Sequence, residues 1–388
     1  PRRGNLSFTS INLPRIAIKA KGDVQWFFEE LERMLDLVHE QLLERFEIIA
    51  NKKVYNFPFL MGEGVWLDSE KLNWNDSVRE VLKHGTLSIG FIGLAECLKA
   101  LYAAGHEICG VYTRRDKPVG RKQVLTAPPV KEVALEHGTP VFQPRTLRDG
   151  ASDDLIRGLA PQIIVVVAYG CIIPPQLLHV AKYGCINLHV SLLPKYRGSA
   201  PIQWAVLNGD EGTGVTIMQL DEGLDTGDIL MVEPVTIDPE ETSGELFDRV
   251  SAVGAGTLVT ALEKIEAGEL TPRKQDNAAA TMAPPLTKDM AQFDFTQDAA
   301  HIHNWVRGMN PWPVAWFAQD GKRIKVLESR LAENPQHAAP GTVLALKPLT
   351  IAAENGAVAL LTVTPEGGKP MAGTAWAAGR RLKVGDSL

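Results

Sequence analysis

Two polar side chains interrupt an apolar stretch near the middle of this 388-residue chain, Asn187 and His189 within Cys-Ile-Asn-Leu-His. Alternate residues of a β-strand point to the same side, so a strand here turns both side chains toward one substrate. An amide and an imidazole so placed can donate hydrogen bonds to the oxyanion that forms when an amine attacks a carbonyl. The alternative is an edge strand with ordinary polar residues, and the pair alone does not decide between the two.

An acidic loop follows a second predicted strand, Val215–Leu220, and reads Asp-Glu-Gly-Leu-Asp-Thr-Gly-Asp over residues 221–228. It has three interpretations: a solvated turn, a metal-binding loop, or a loop that carries a carboxylate to Asn187 and His189. The spacing of the acids does not fit a calcium loop, and we expect no metal. In the third interpretation a carboxylate orients the imidazole and helps to move the proton of the attacking amine.

Alternating strands and helices over residues 87–268 predict the sheet that positions these groups. The expected strands are Leu87–Ile92, Glu107–Tyr112, Ile163–Val167, Cys185–Leu188 and Val215–Leu220. Such alternation predicts a Rossmann-like α/β domain, a parallel sheet with helices on both faces. Ligands bind at the carboxyl ends of the strands of these sheets, where Ala168-Tyr169-Gly170 and Asn187-Leu188-His189 stand.

Other segments flank this domain. Residues 1–84 contain an apolar stripe that predicts a helix over residues 23–49, so we expect an α-rich fragment. Residues 269–286 are rich in proline and are expected to be a linker. In residues 287–388 a helix is expected at Ala299–Val306, and strands at Val314–Phe317 and Ile324–Leu327. A hairpin turn at Asn355-Gly356 completes the pattern of a small β-barrel of the oligonucleotide-binding kind.

The composition is that of a globular protein, with 45% hydrophobic and 22% charged residues. No apolar run approaches the roughly 20 residues of a membrane span, and no signal peptide is visible. The four cysteines, none in a C-x-x-C pair, are Cys97, Cys109, Cys171 and Cys185. We therefore expect a cytoplasmic protein that does not bind membranes. The net charge of −6 argues against indiscriminate binding of nucleic acid but permits a local basic patch.

One loop is such a basic patch. Five cations lie within nine residues, opposed only by Asp116: Arg114, Arg115, Lys117, Arg121 and Lys122. They can neutralise phosphates of a nucleic acid, or they form a surface loop that aids solubility. Arg197 likewise has two interpretations, contact with a substrate phosphate or a structural clamp on the preceding loop.

Longer motifs carry a family resemblance from about residue 97 to residue 388. They read VYTRRDKPVGR, PVKEVALEHGTPVFQP, VVVAYG, INLHVSLLPKYRGSAPIQWAVLNGD, GVTIMQLDEGLDTGDIL and MNPWPVAW. This part of the chain resembles the methionyl-tRNA formyltransferase family. The resemblance implies transfer of a formyl group from 10-formyltetrahydrofolate to the α-amine of initiator methionyl-tRNA, by a monomer that serves translation initiation.

The same resemblance implies roles for individual residues. It places catalysis on Asn187, His189 and Asp225. It places the folate near the Ala168-Tyr169-Gly170 loop and near Ser191, Leu192, Leu193 and Pro194. The five cations of the basic loop and Arg197 are the expected contacts to tRNA, which the C-terminal domain helps to hold.

The first 101 residues or so resemble a different family, the anaerobic ribonucleoside-triphosphate reductases. The motifs are RRGNLSFTSINLPRIAI, FPFLMGEGVWLDSEKL and HGTLSIGFIGLAECLKAL. The piece contains neither the glycyl-radical segment of that family nor a cysteine before Cys97, so we expect no reductase activity. Where the two resemblances meet, the loop of the form T-P-E/D-F that follows the first strand of the formyltransferase family is missing. We expect Leu87–Ile92 to take the place of that first strand.

Two other functions compete with transfer to methionyl-tRNA. One is transfer of a formyl group to a small amine, which the third domain and the basic loop disfavour because a small amine requires neither. The other is that the chain is an inactive fusion of a reductase fragment with a formyltransferase. Such a fusion product would only bind folate or tRNA.

Overall fold

The structure, a computed structural model, describes residues 94–119, 124–170 and 172–388. The chain divides into two units, residues 1–90 with 116–127 and residues 91–115 with 128–388. The predicted N-terminal helix and the predicted strand Leu87–Ile92 lie outside the described residues.

The helices and strands up to residue 283 belong to the predicted α/β region and its linker. The helices are α1 (Leu94–Ala103), α2 (Pro129–Glu136), α3 (Asp153–Gly158), α4 (Pro175–Leu178), α5 (Pro201–Leu207) and α6 (Ser243–Ala267). The strands are β1 (Val111–Tyr112), β2 (Lys117–Val119), β3 (Val124–Thr126), β4 (Val141–Phe142), β5 (Ile164–Val166), β6 (Cys185–His189), β7 (Arg197–Gly198), β8 (Gly212–Gln219), β9 (Ile229–Thr236) and β10 (Met282–Ala283). Strands β2 and β3 form an antiparallel hairpin in the first unit, and all the others belong to the second.

The sheet that carries the polar pair has the order β5-β6-β8-β9. Strands β5 and β6 are parallel, as are β1 and β4 in a separate pair. The predicted Rossmann-like domain is therefore confirmed. Strand β8, however, runs antiparallel to both β6 and β9. Alternation along the sequence does not specify the direction in which each strand crosses the sheet, so this half of the sheet was not predicted.

Helix α6 covers one face of this sheet. Leu246, Val250, Leu258 and Ala261 recur at helical spacing and are buried. At Gly254 the helix approaches β6 so closely that a Cβ atom would lie 3.2 Å from Leu188 Cδ1. No described helix, including this one of 25 residues, is long and apolar enough to cross a membrane.

The C-terminal region, predicted to be a small β-barrel, is an antiparallel β-sheet domain. Its elements are α7 (Ala299–Gly308), β11 (Trp316–Gln319), β12 (Lys322–Ala332), β13 (Val343–Leu346), β14 (Leu349–Ala353), β15 (Gly356–Pro365), β16 (Met371–Ala372) and α8 (Gly373–Gly379). The strand order is β11-β12-β15-β14-β13, with β16 beside β15. Its core includes the contacting rings of Phe293, Phe295, Phe317 and Trp376.

The predicted hairpin is confirmed, since β14 and β15 pair and Asn355 takes the left-handed φ of +56° that the turn requires. The strand bounds differ from the prediction. The predicted strand Ile324–Leu327 extends over the eleven residues of β12, because β15 supplies ladder partners well beyond the apolar run.

Candidate functional site

Asn187 and His189 occupy the carboxyl-terminal half of β6. Asn187 pairs with Val166 of β5 and Met218 of β8, and His189 pairs with Thr216 of β8. All five residues of β6 are buried, so this is a central strand and the edge-strand alternative is wrong. Because Asn187 and His189 are two residues apart on a strand, both side chains lie on one face of the sheet.

The imidazole of His189 has a defined partner on each nitrogen. Nε2 lies 2.9 Å from the carbonyl oxygen of Tyr196. A carbonyl only accepts, so Nε2 carries a hydrogen and donates it. Nδ1 lies 3.7 Å from Oδ2 of Asp225, too far for a hydrogen bond but close enough for an ion pair when the ring is protonated. The neutral ring therefore presents an unprotonated Nδ1 to its surroundings.

Burial dominates the electrostatics of His189. It lowers the pKa of the imidazole, since removal from water disfavours the charged form. The carboxylate of Asp225 and the carbonyl of Tyr196 act in the opposite direction but do not reverse the shift. At neutral pH the ring is therefore uncharged and can accept a proton.

Asp225 reaches His189 from the acidic loop between β8 and β9. Its backbone has a left-handed φ of +52°, and Oδ2 accepts a 2.8 Å hydrogen bond from the Gly198 N–H. Asp221, by contrast, binds Gly223 and Thr226 within the turn. This geometry favours the third interpretation of the loop, in which one carboxylate joins the polar pair.

The predicted folate residues 191–194 follow β6 directly. The hydroxyl of Ser191 donates to the carbonyl of Lys195, and Thr216 donates to the carbonyl of Ser191. Thr216 also accepts from the N–H of Leu193, so β8 holds this loop beside Asn187 and His189. The Leu193–Pro194 peptide is cis.

The other predicted folate segment leaves the end of the parallel neighbour, β5. Ala168 and Gly170 are exposed and have positive φ values of 44° and 70°. The side chain of Arg114 donates from Nε to the carbonyl of Tyr169. The φ of Gly170 favours glycine, and a side chain there would have to displace the guanidinium of Arg114.

An apolar cavity of about 530 Å³ lies between β1 and β5. Tyr169 lines it, together with apolar residues such as Leu101, Ile108 and Val166. Asn187, His189 and Asp225 do not. The cavity thus adjoins one predicted folate segment but is separate from the predicted catalytic residues.

The predicted tRNA contacts lie in different places. Exposed Arg115 donates to the carbonyl of Gln143 at 3.3 Å, and Arg114 holds the Tyr169 loop. Lys117 is exposed on β2, in the other unit. Arg121 and Lys122 lie outside the described residues.

Arg197 is buried, and its guanidinium donates to the side chains of Gln275 and Asn277. These contacts favour a structural role for Arg197 over contact with a phosphate, but the guanidinium holds the linker rather than the preceding loop.

Sequence reasoning missed the contribution of the linker. Strand β10 pairs in parallel with β7, and the hydroxyl of Thr281 accepts from the N–H of Tyr196. The side chain of Gln275 donates to the backbone of the Asp225 loop. Polar residues in a proline-rich segment carry no periodic signal, so nothing in the sequence pattern marks them as part of the site.

Family models match three parts of the chain. Residues 87–262 match the Formyl transferase family, and residues 285–381 match the Formyl transferase, C-terminal domain family. Residues 1–115 match the Anaerobic ribonucleoside-triphosphate reductase family. The formyl transferase and reductase matches overlap over residues 87–115, which include the Cys-Leu-Lys-Ala-Leu stretch at residues 97–101.

Individual relatives extend over most of the formyl transferase part. The chain is 45% identical over 298 residues to a methionyl-tRNA formyltransferase from Lachnospira eligens, covering 75% of this chain and 95% of the relative. It is 44% identical to one from Solibacter usitatus, covering 75% and 94%. An N-formyltransferase from Helicobacter canadensis, solved with folinic acid and dTDP-3-aminofucose, superposes with a TM-score of 0.53. At 18% identity, over 69% of this chain and 96% of that one, the superposition shows a shared fold.

Proposed function

This chain belongs to the methionyl-tRNA formyltransferase family, and from that premise we propose that it transfers a formyl group from 10-formyltetrahydrofolate to the α-amine of methionyl-tRNA. The observation that carries the proposal is the meeting of His189 with Asp225 at 3.7 Å, at the end of the strand that also bears Asn187.

The donor set fits a formyl carbonyl and an amine. The amide of Asn187 can donate to a carbonyl oxygen, and neutral His189 offers Nδ1 to an amine proton. Ala168 and Gly170 are exposed, so this segment can face the edge of a planar heterocycle. We place the folate there and along residues 191–194.

Each catalytic residue then has one role. 10-Formyltetrahydrofolate, when bound, supplies an activated formyl group. Asn187 stabilises the negative charge that develops on the formyl oxygen. His189 takes the proton of the attacking amine at Nδ1, since Nε2 is engaged with Tyr196. Asp225 stabilises the imidazolium that results. As the bond between the formyl carbon and the folate nitrogen breaks, the imidazolium returns its proton to that nitrogen, and tetrahydrofolate leaves.

A transfer assay with the purified full chain tests the proposal. Asn187→Ala and His189→Ala should each lower the rate by about 10²–10³-fold, while binding of methionyl-tRNA stays within twofold. His179→Ala is a matched control, because His179 is exposed on the same domain and should transfer as the unaltered chain does.

The two competing functions give different results in the same assay. Transfer to free methionine or an amino sugar at a rate equal to that on methionyl-tRNA favours a small-amine formyltransferase. No transfer above background by the unaltered chain, beside good transfer by a chain whose first strand and T-P-D-F loop are restored, favours the inactive fusion product.

A further inference from the structure

Asp225 must be held in an unfavourable backbone conformation to reach His189. At a residue other than glycine, a φ of +52° raises the free energy of the backbone by about 1–3 kcal/mol, unless its surroundings offset the strain. Two backbone carbonyls in this bend accept hydrogen bonds from the same side chain. Nε2 of Gln275 donates to the carbonyls of Asp225 and Gly227, each at 2.8 Å.

The amide of Gln275 is itself oriented by Arg197. The guanidinium donates to Oε1 of Gln275 from Nε at 3.1 Å and from Nη2 at 2.7 Å. Because a guanidinium has no acceptor, the oxygen of the amide must face Arg197 and its NH₂ group must face the Asp225 loop. The amide can satisfy both neighbours in only one orientation.

The contacts close into a ring around the catalytic carboxylate. Arg197 and Gly198 are adjacent in β7, and the N–H of Gly198 donates to Oδ2 of Asp225 at 2.8 Å. Gln275 joins Arg197 to the backbone of Asp225 from the other side. The Asp225 ring, as we call these four residues, thus fixes both the backbone and the carboxylate of the residue that faces His189.

We infer that Gln275 is a positioning residue for formyl transfer, which sets the Asp225 carboxylate against His189 through the backbone of the loop. The inference rests on the proposed function. It also gives the buried cation of Arg197 a role in this chemistry, since Arg197 sets the orientation of the amide that does the positioning.

Gln275→Glu tests the role with little change of shape. The variant keeps an acceptor for Arg197 but replaces the donor that faces the Asp225 loop with an oxygen, which repels the two carbonyls. We expect kcat to fall by about 10–10²-fold through misplacement of the carboxylate, with KM for the formyl donor and Kd for methionyl-tRNA unchanged. Gln176→Glu, an equal change of charge at an exposed position of α4, should leave kcat unaltered.

A double variant separates positioning from simple support of the fold. Once Asp225→Asn has removed the carboxylate, Gln275 has no charge left to position, so adding Gln275→Glu should cost little further rate. If the double variant instead loses rate by the product of the two single losses, the inference is overturned in favour of a structural role. The same holds if Gln275→Glu both raises KM and lowers Tm.

A titration of His189 by NMR needs no turnover, so it keeps this inference distinct from the proposed function. The Asp225 carboxylate raises the pKa of His189 against the effect of burial. Gln275→Leu, which removes the donor without adding a charge, should therefore lower the His189 pKa in the same direction as Asp225→Asn. An unchanged pKa overturns the inference whether or not the chain transfers formyl groups, whereas a lowered pKa without transfer by any form of the chain counts against the proposed function alone.

Discussion

The charge of a single imidazole sets the conditions under which this site works. His189 must be neutral to take the proton of the amine, and burial holds its pKa below the ordinary value. The transfer rate should therefore fall as the pH drops through that lowered pKa. The amine of the substrate must also be unprotonated to attack, so the shift of the acid limb between variants, rather than its absolute position, reports on His189.

Asp225→Asn should move that limb. Loss of the carboxylate removes an interaction that raises the pKa of His189, so the acid limb shifts to lower pH while the maximal rate falls. The measurement is kcat as a function of pH for the two forms. Glu222→Gln, in the exposed part of the same loop, is the control and should keep the original profile. A limb that stays in place or moves to higher pH argues against the pairing of these residues.

The backbone around Gly198 leaves little room for a side chain. Its φ is +122°, and a Cβ atom there would lie 2.7 Å from the carbonyl oxygen of Ala283. Gly198→Ala should destabilise the fold by about 1–3 kcal/mol in urea titrations and slow transfer, since its N–H binds Asp225. Gly256→Ala, in α6 with nothing within 4 Å, should instead be neutral or stabilise by up to about 1 kcal/mol. Equal effects of the two changes would show that the space around Gly198 is not limiting.

The sequence predicted these residues unequally. Asn187 and His189 stand out because their spacing of two on an apolar strand has a direct geometric meaning. Asp225 is one of four acids in eight residues, and spacing alone does not distinguish it from Asp221. Gln275 gives no signal at all, because its role arises from a contact across 50 residues of chain.

At the scale of elements, helix α6 begins with a reciprocal cap. The hydroxyl of Thr242 accepts from the N–H of Glu245, and the carboxylate of Glu245 accepts from the N–H of Thr242. Thr242→Ala should lower the free energy of unfolding by about 0.5–2 kcal/mol and leave transfer at 25 °C intact. Thr242→Ser retains the hydroxyl and should restore most of the loss in thermal or urea denaturation. A Ser variant as unstable as the Ala variant would mean that the methyl group, not the cap, matters.

Elements with a strong local signal were predicted well. Strand β6 and the hairpin at Asn355-Gly356 follow from periodicity and turn chemistry that a few neighbouring residues supply. Strand direction and strand ends depend on partners far along the chain. The antiparallel course of β8 and the extension of β12 were therefore missed.

For the whole molecule, the net charge of −6 means that binding of tRNA depends on local cations rather than on overall attraction. Arg115→Ala should weaken binding of tRNA and reduce the slope of log K against log salt by about 1, as expected for one lost phosphate contact. Arg249→Ala removes the same charge, but Arg249 is already paired with Glu241 at 2.7 Å, so the slope should not change. Equal slopes for Arg115→Ala and the unaltered chain would remove this residue from the tRNA interface.

The pairing of β7 with β10 has one more consequence, which concerns the length of the chain between the two formyl transferase domains. Surface connections usually accept inserted residues, because their ends are free to adjust. Here the connection contacts the loops around Asp225 and Tyr196, and its register against β7 is fixed. Residues inserted before β10 would move Gln275 or Thr281 away from their partners even where the rest of the domain accommodates them. The length of this connection is therefore constrained by its contacts to the proposed site as well as by the distance between the domains.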